Sequence, residues 1–233
     1  MMGEVTRHRP AVDRLVEAHE PQLRLLATRI AASPHNLVSR RARDELWEVH
    51  IREAVAVAEV LAPSVRPGSH WIDLGTGGGL PGLVLALLAP GATWGLIDAR
   101  EKKIEEVARF AAELGLLHVK PCAGRAERLA RQAVWRGAAD GLVARALAPL
   151  PVLVELARGF VAEGGEVVAI KGPGLETELE QASEACRATN LKVSHIDVIE
   201  GLSREVRLAR LRAVGPIPDW VPRRDGVPSA RPL

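Results

Sequence analysis

The sequence predicts an α/β protein whose mostly parallel sheet is covered by helices on both faces. The first observation behind this prediction is an alternation of apolar, strand-like runs with helix-like segments from about residue 70 to 189. The second is a glycine-rich block directly after the first of these runs. The third is a pair of strand-like runs near the C-terminus, joined by a short turn. We expect seven strands in one sheet.

Residues 1–66, before the first strand, are predicted to form a helical cap. Apolar positions recur at helical spacing over 11–33, and Pro21 marks the start of a second helical segment within this range. A further helix is expected at about 43–62, because its apolar residues share one face and a proline follows it.

The remaining elements alternate along the chain. Strands are predicted at about 70–74, 93–98, 117–122, 141–144 and 166–171, and helices at about 81–89, 100–114, 125–136, 150–162 and 175–189. The last two runs, 191–199 and 204–214, would form a hairpin that places one antiparallel strand in an otherwise parallel sheet. This hairpin is unlike the standard dinucleotide-binding domain and matches the Rossmann-like architecture of class I methyltransferases. We therefore expect one methyltransferase-like domain at 67–215 and a tail at 216–233.

The composition indicates a globular protein, with 47% hydrophobic and 26% charged residues among 233. Cys122 and Cys186 form no metal-binding motif, so neither a metal site nor a disulfide framework is expected. The first ten residues carry no apolar run, and no stretch approaches the length of a membrane span. We therefore expect a soluble, cytoplasmic protein with no membrane partner.

The net charge of +2 is unevenly distributed. Residues 1–43 carry +4 and residues 220–233 carry +2, which leaves −4 between them. Basic ends on a mildly acidic body suggest contacts with the phosphates of a polyanion. Ordinary solvated arginines are the alternative explanation.

Residues 70–82, HWIDLGTGGGLPG, form a strand with one acid, Asp73, and then a glycine loop. Glycines let the backbone turn sharply and approach a nucleotide-like ligand at the start of the next helix. The spacing also fits the dinucleotide pattern G-x-G-x-x-G. However, a carboxylate just before the loop suits a ligand with a cationic end, such as S-adenosylmethionine with its ammonium group. A tight turn in which loop amides satisfy Asp73 is the alternative.

Further residues would complete a site for this cofactor. Thr76 and the amides of 77–79 would hold its methionine portion. Asp98, which ends the second strand, would accept both ribose hydroxyls, or else cap the next helix. Main-chain groups of the turn at 124–127 would hold the adenine edge, although this turn also fits a helix start with Glu127 in its first turn.

Two cations end neighbouring strands, Arg145 in the fourth and Lys171 in the fifth. The carboxyl ends of parallel strands share one edge of the sheet, so both side chains should line one pocket beside the cofactor. That pocket would suit an anionic or acceptor-rich substrate such as a nucleotide. Each side chain could instead extend to solvent.

These features together resemble the glucose-inhibited division protein B family, the bacterial small-subunit ribosomal RNA guanine-N7 methyltransferases. The resemblance covers roughly residues 20–233 and rests on Asn36-Leu37, His50, IDLGTGGGLPG at 72–82, Asp98, Arg125-Ala126-Glu127, Ala144-Arg145-Ala146, Lys171-Gly172 and PRRDGVPSARPL at 222–233. It departs from the usual family pattern at Arg52-Glu53, at Val38-Ser39 and at Ala144.

The resemblance implies S-adenosylmethionine as methyl donor and N7 of a guanine in 16S rRNA as acceptor. Carried over by position, it implies cofactor contacts at Gly75, Leu80, Asp98, Ala126, Glu127 and Arg145, to which the glycine loop adds Asp73, Thr76, Gly77 and Gly78. The expected partner is 16S rRNA or the small ribosomal subunit, and a monomer is expected. A nicotinamide-dependent oxidoreductase, a methyltransferase for another substrate and a binding protein with a vestigial site are the alternatives.

The implied chemistry predicts no general base, because guanine N7 carries a lone pair and no proton. Arg145 and Lys171 would then act by positioning, with Arg145 at the boundary between cofactor and acceptor and Lys171 on O6 or a phosphate. His50 would position a flanking nucleotide, or be only a partly buried, hydrogen-bonded histidine. We also expect Arg223, Arg224 and Arg231 to contact rRNA phosphates, and removal of 222–233 to leave cofactor binding intact.

Overall fold

A computed structural model describes residues 4–39 and 43–233 of the chain. Its centre is one eight-stranded sheet with the order β1-β7-β8-β6-β5-β2-β3-β4. The strands are β1 (Glu4–His8), β2 (His70–Leu74), β3 (Thr93–Asp98), β4 (Val119–Ala123), β5 (Ala139–Arg145), β6 (Val161–Lys171), β7 (Leu191–Ile199) and β8 (Val206–Ala213). β8 runs antiparallel to both β6 and β7, and every other pairing is parallel. The predicted C-terminal hairpin is therefore confirmed.

The strand β1 corrects the expected count of seven strands. It pairs in parallel with β7 at the edge of the sheet, although it lies within the region predicted as a helical cap. The sequence EVTRH contains a single large apolar residue, Val5, which is exposed. The strand is held instead by polar contacts, including one of 2.6 Å between His8 Nε2 and Asp197 Oδ1. An apolar periodicity search therefore misses it.

The helices follow the predicted alternation closely. They are α1 (Val12–Ala18), α2 (Glu20–Ala32), a π-helical segment (Leu46–Ile51) that continues as α3 (Arg52–Leu61), α4 (Gly82–Leu88), α5 (Glu101–Glu113), α6 (Ala126–Leu129), α7 (Leu150–Arg158), α8 (Leu175–Gln181), α9 (Ser183–Ala188) and α10 (Val227–Ala230). The break between α1 and α2 falls directly before Pro21, as predicted. None of the helices in the described ranges is long and apolar enough to cross a membrane.

Several predicted boundaries differ from the structure. The helix expected at 150–162 ends at Arg158, and the one expected at 43–62 begins with the π-helical segment. The helix expected at 125–136 ends at Leu129, and turns occupy the residues that follow. The helix expected at 175–189 is two helices, α8 and α9. The strand β6 begins at Val161 rather than 166, because the chain stays paired with β5 on both sides of Gly164, whose positive φ of 78° interrupts the apolar pattern.

Two apolar clusters lie on opposite faces of the sheet. One lies between helices α1 through α5 and one face of the sheet. It contains Trp71 and Trp94, whose ring centroids lie 5.9 Å apart. The other lies between helices α6 through α9 and the opposite face of the sheet, and it contains Phe160. Helices thus cover both faces, which leaves the strand ends as the accessible edges of the sheet. The division into 1–66, 67–215 and 216–233 stays a prediction.

Candidate active site

Asp73 organises the glycine loop. It lies in β2 with 1% exposure, and its Oδ2 accepts hydrogen bonds from the Thr76 hydroxyl at 2.7 Å and the Gly82 amide at 2.9 Å. Its Oδ1 is buried and has no hydrogen-bond partner among the described residues. Burial raises the pKa of Asp73 to about 6, although these two hydrogen bonds act to lower it. The carboxyl group is therefore partly satisfied by the loop and keeps one free oxygen.

Close packing fixes two of the glycines in this loop. A Cβ atom on Gly82 would lie 2.6 Å from Asp73 Oδ2, so only glycine lets the start of α4 approach the carboxylate. Gly75 has a positive φ of 76°, and a Cβ there would lie 2.6 Å from Leu147 Cδ1. The sequence block GTGGGLPG thus packs closely against Asp73 through Gly82 and against Leu147, in the loop after β5, through Gly75.

Asp98 connects the second strand end to this loop. Its Oδ2 accepts a hydrogen bond from the Gly77 amide at 3.0 Å, and its Oδ1 accepts one from the Arg100 amide at 2.9 Å. The side chain is only partly buried and lines a cavity. It does not cap α5, since the residue before that helix is Arg100.

This first cavity has a volume of about 200 Å³ and lies at the carboxyl ends of β2, β3 and β4. Its lining comprises Leu74, Gly75, Ile97, Asp98, Ala99, Gly124, Arg125, Ala126, Glu127, Leu147, Ala148, Leu156 and Ser229. In open α/β sheets this edge, next to the point where strand order reverses, is where ligands bind. Here β2 lies between β3 and β5, so the cavity adjoins that point.

Glu127 is the buried acid of this cavity, at 5% exposure. Its Oε1 accepts hydrogen bonds from Arg125 Nη2 at 2.7 Å and from the Gly226 amide at 2.9 Å. Burial opposes ionisation of Glu127, but these hydrogen bonds outweigh it and hold its pKa below the ordinary value. The carboxylate therefore joins the turn after β4 to the C-terminal segment.

A second cavity, of about 430 Å³, lies at the carboxyl ends of β5 and β6 and is lined by both predicted cations, Arg145 and Lys171. Arg145 Nη1 donates to Glu53 Oε1 and to His50 Nδ1, each at 3.2 Å. Arg204 Nε donates to Glu53 Oε2 at 2.7 Å. The buried Glu53 carboxylate therefore balances two guanidinium groups.

His50 lies beside this charged group in the π-helical segment. Burial lowers its pKa to about 4, and the positive charges of Arg145 and Arg204 contribute. The ring is therefore neutral above about pH 5, and its Nδ1 accepts the Arg145 hydrogen bond. It is the partly buried, hydrogen-bonded histidine that the sequence analysis considered.

Lys171 is held in a similar way. Its Nζ donates to the Ala148 carbonyl at 2.9 Å and to Glu178 Oε2 at 2.6 Å, and the same Glu178 oxygen accepts the Leu150 amide at 2.7 Å. Because Ala148 lines the first cavity, the lysine connects the two cavities. They are separated by the short segment 145–148, in which Ala146 has a positive φ of 52°.

The predicted cofactor residues fall into four positions. Gly75, Asp98, Ala126 and Glu127 line the first cavity, and Asp73, Thr76 and Leu80 are buried in or behind the loop. Arg145 lines the second cavity instead. Gly77 and Gly78 belong to the loop on the side of Leu37; a Cβ on Gly78 would lie 3.0 Å from Leu37 Cβ. These contacts to a cofactor stay predictions.

The predicted RNA-contacting residues also differ in their surroundings. His50 and Lys171 belong to the second cavity group, and Arg224 and Arg231 are exposed. Arg223 instead binds the buried Glu155 through its Nε and Nη2 atoms, at 2.6–3.0 Å. Its contact with RNA stays a prediction, but the side chain already has a partner within the fold.

Sequence reasoning did not identify Glu53, Glu178, Arg204, Leu147 or Ser229 as parts of these cavities. Glu53 was noted only as part of a departure from the family pattern, Glu178 lay within a predicted helix, and Arg204 opened the strand-like run 204–214. One usable signal was Glu53 itself, an acid directly before the apolar run AVAVA, since such an acid needs a partner when buried. No metal-binding group of three or more His, Cys, Asp or Glu side chains occurs in residues 4–39 and 43–233.

Solved structures define the fold class. A SAM-dependent methyltransferase from Aquifex aeolicus superposes with a TM-score of 0.55 at 14% identity, over 76% of this chain and all of that chain. TrmN from Thermus thermophilus superposes with a TM-score of 0.53 at 22% identity, over 69% of this chain and 49% of that chain. At such identities the likeness concerns the fold, which is the Rossmann-like fold of class I methyltransferases.

Sequence comparison identifies the family. The family model GidB, described as "rRNA small subunit methyltransferase G", matches residues 22–207. A "Ribosomal RNA small subunit methyltransferase G" of Deinococcus radiodurans is 38% identical over 94% of this chain and 87% of its own length. The protein of that name from Moorella thermoacetica is 36% identical over 85% and 82%. The chain belongs to the GidB family of methyltransferases.

Proposed function

We propose that this protein transfers a methyl group from S-adenosylmethionine to N7 of a guanine in small-subunit ribosomal RNA. The observation that carries the proposal is the pair of adjoining cavities at one edge of the sheet. One is bordered by the acid–glycine loop and Asp98, and the other by Arg145 and Lys171. The names of the relatives in this family add the RNA as substrate.

The residues that line the first cavity, together with the buried Asp73 behind its glycine loop, fit this cofactor. Asp73 Oδ1 is a buried acceptor without a partner among the described residues, beside a loop whose glycines leave no room for side chains. It would hold the ammonium group, Asp98 the ribose hydroxyls and the turn at 124–127 the adenine edge. When bound, the cofactor supplies an electrophilic methyl group on its sulfonium sulfur.

The residues of the second cavity have to hold the base without removing a proton, since guanine N7 has none. His50, with a pKa of about 4, is neutral near pH 7. Arg145 donates a hydrogen bond to the Glu53 carboxylate, and Lys171 donates one to the Glu178 carboxylate. Methylation makes the base cationic, so an uncompensated cation beside it would oppose the reaction. Glu53 and Glu178 reduce this repulsion and leave both side chains as positioned donors.

The direct test of this proposal is the detection of N7-methylguanine in 16S rRNA. RNA from cells with and without the gene is reduced with borohydride and cleaved with aniline, which breaks the strand at N7-methylguanine. We expect one stop in primer extension that is present only with the gene. The purified protein should restore it, with deproteinised rRNA and small subunits as parallel substrates. Its absence in every sample, or a methyl group at another atom, would reject the proposal.

A second test addresses the mechanism. The single-turnover rate of methyl transfer should be flat from about pH 6 to 9, because no side chain has to lose a proton. Lys171→Ala should lower this rate by roughly 10- to 100-fold through misplacement of the base and keep the flat profile. Lys171→Arg need not restore it, since a planar fork differs in shape from a point charge. A slope of one through pH 6–8 that disappears in His50→Ala would instead indicate proton transfer.

A further inference from the structure

The C-terminal segment 221–230, called the strap below, packs on the fold rather than extending from it. Val221 is fully buried. The backbone leading into the strap is held by two arginines that follow α6: Arg136 donates to the carbonyls of Val221 and Pro218 at 2.7 and 3.1 Å, and Arg131 donates to that of Pro222. Carbonyl groups of a Pro-rich, aperiodic stretch thus receive defined partners.

A buried ion pair fixes the next residue of the strap. Glu155 of α7 has 0% exposure, and it accepts hydrogen bonds from the Arg223 amide at 2.7 Å and from Arg223 Nε at 2.9 Å. A buried carboxylate without a partner is strongly unfavourable, so Glu155 requires Arg223 in this place. The basic residue that looked available for an external polyanion is a component of the fold.

The strap then reaches the first cavity. The Gly226 amide donates to Glu127 Oε1 at 2.9 Å, and Asp225 Oδ2 lies 2.6 Å from Arg128 Nε and 3.5 Å from Arg125 Nε. Ser229 lines the cavity itself. The turn between β4 and α6 is therefore held from outside by residues about 100 positions later in the sequence.

We infer that the strap is a positioning element of the cofactor site, which sets the turn at 124–127 for the adenine edge by fixing the Glu127 carboxylate. The inference rests on the proposed function, since it assumes that the first cavity holds an adenosyl group. It opposes the expectation that removal of 222–233 leaves cofactor binding intact. The strap acts through Glu127, so none of its residues is catalytic.

Removal of the whole strap would also expose Val221 and leave Glu155 without its partner. A substitution at Gly226 instead perturbs only the residue whose amide binds Glu127. Gly226 has a positive φ of 76°, and nothing lies within 4 Å of a Cβ built there. Gly226→Ala therefore strains the backbone that presents the amide to Glu127 without causing a clash. Gly115 is a matched control, with a φ of 70° and the same open space, and it precedes β4, at the opposite end of that strand from the turn at 124–127.

The experiment measures by calorimetry the affinities of the parent chain, Gly226→Ala and Gly115→Ala for two ligands, S-adenosylhomocysteine and its inosine analogue. We expect Gly226→Ala to bind S-adenosylhomocysteine roughly tenfold more weakly than the parent, which corresponds to the loss of one hydrogen bond to a charged group. The preference for adenine over hypoxanthine should also fall. Gly115→Ala should retain both the affinity and the preference.

The outcomes separate this inference from the proposed function. A parent chain that binds neither ligand would reject both. A parent that binds, with Gly226→Ala equal to Gly115→Ala, would reject the strap as a positioning element and leave the proposed function standing. Equal weakening toward both ligands would also reject it, because general destabilisation does not change the preference between two bases.

Discussion

The ionisation of Asp73 should control cofactor affinity below neutral pH. Its carboxyl group is 1% exposed and its pKa is raised to about 6, chiefly by burial, while Thr76 and Gly82 donate hydrogen bonds to one oxygen. The charges of Arg145 and Asp98 act on it in opposite directions. If Asp73 holds the ammonium group of the ligand, the ligand binds the ionised form and shifts the equilibrium toward it.

The size of the effect follows from this pKa. With a value of about 6, roughly nine-tenths of Asp73 is ionised at pH 7 and roughly one-tenth at pH 5. The affinity for S-adenosylhomocysteine should therefore fall about tenfold between these pH values, which is about 1.4 kcal/mol. The group is fully buried, so solvent screening does not reduce this figure appreciably.

Calorimetric titrations at pH 5, 6 and 7 measure this dependence. Asp73→Asn keeps the shape and an oxygen that accepts from Thr76 and Gly82, but it has no charge to titrate. This variant should bind weakly and independently of pH, whereas Asp219→Asn, at an exposed aspartate, should behave as the parent chain does. An affinity of the parent that stays constant from pH 5 to 7 would refute the assignment of Asp73 to the ammonium group.

Ligand affinity is a cleaner measure here than the free energy of unfolding. The raised pKa of Asp73 means that the folded protein binds more protons than the unfolded chain between about pH 4 and 6, so stability falls as pH rises through that window. The lowered pKa of His50 has the opposite sign, so its contribution falls as pH drops from about 6.5 to 4. The two contributions largely cancel in stability, but only Asp73 is assigned to the ligand.

Two further substitutions test the same site. Asp98→Ala should weaken S-adenosylhomocysteine binding by about 1–3 kcal/mol, since it removes the proposed ribose acceptor and the partner of the Gly77 amide; unchanged calorimetric affinity would discard the ribose assignment. Gly82→Ala should destabilise the fold by about 1–3 kcal/mol in urea unfolding, because the new Cβ would lie 2.6 Å from Asp73 Oδ2. Gly174→Ala, where nothing lies within 4 Å, is its control, and equal stability of the two variants would show that the loop yields without strain.

The parts of the fold that could be predicted have local causes. Strands β2, β3 and β5 are short apolar runs bounded by turn residues, so each can be read without knowing its neighbours. The acid–glycine loop is likewise a local pattern. Asp73 and Gly82 are only nine positions apart in the sequence, and the Gly82 amide donates a hydrogen bond to the Asp73 carboxylate. β1 could not be found in this way, because its pairing with β7 depends on residues nearly 190 positions away.

The missing parts of the site depend on charge pairs over similarly long distances. Arg204 and Glu53 are 151 positions apart, and Arg223 and Glu155 are 68 apart. A propensity or a periodicity carries no information about such partners. Arg223 was therefore assigned to an outside polyanion, because it lies in a Pro-rich, aperiodic and basic tail.

Both acids nevertheless carry a readable signal. Glu53 directly precedes the apolar run AVAVA, and Glu155 lies within PVLVELA, so both acids have apolar neighbours in the sequence. A carboxylate carried into a core by its apolar neighbours needs a cation or hydrogen-bond donors there, since its burial alone is too unfavourable. For Glu53 and Glu155 the partner is an arginine elsewhere in the chain, although the acid alone does not say which one. Here both acids have such a partner, since Arg204, which lines the second cavity, pairs with Glu53, and Arg223 pairs with Glu155 within the fold.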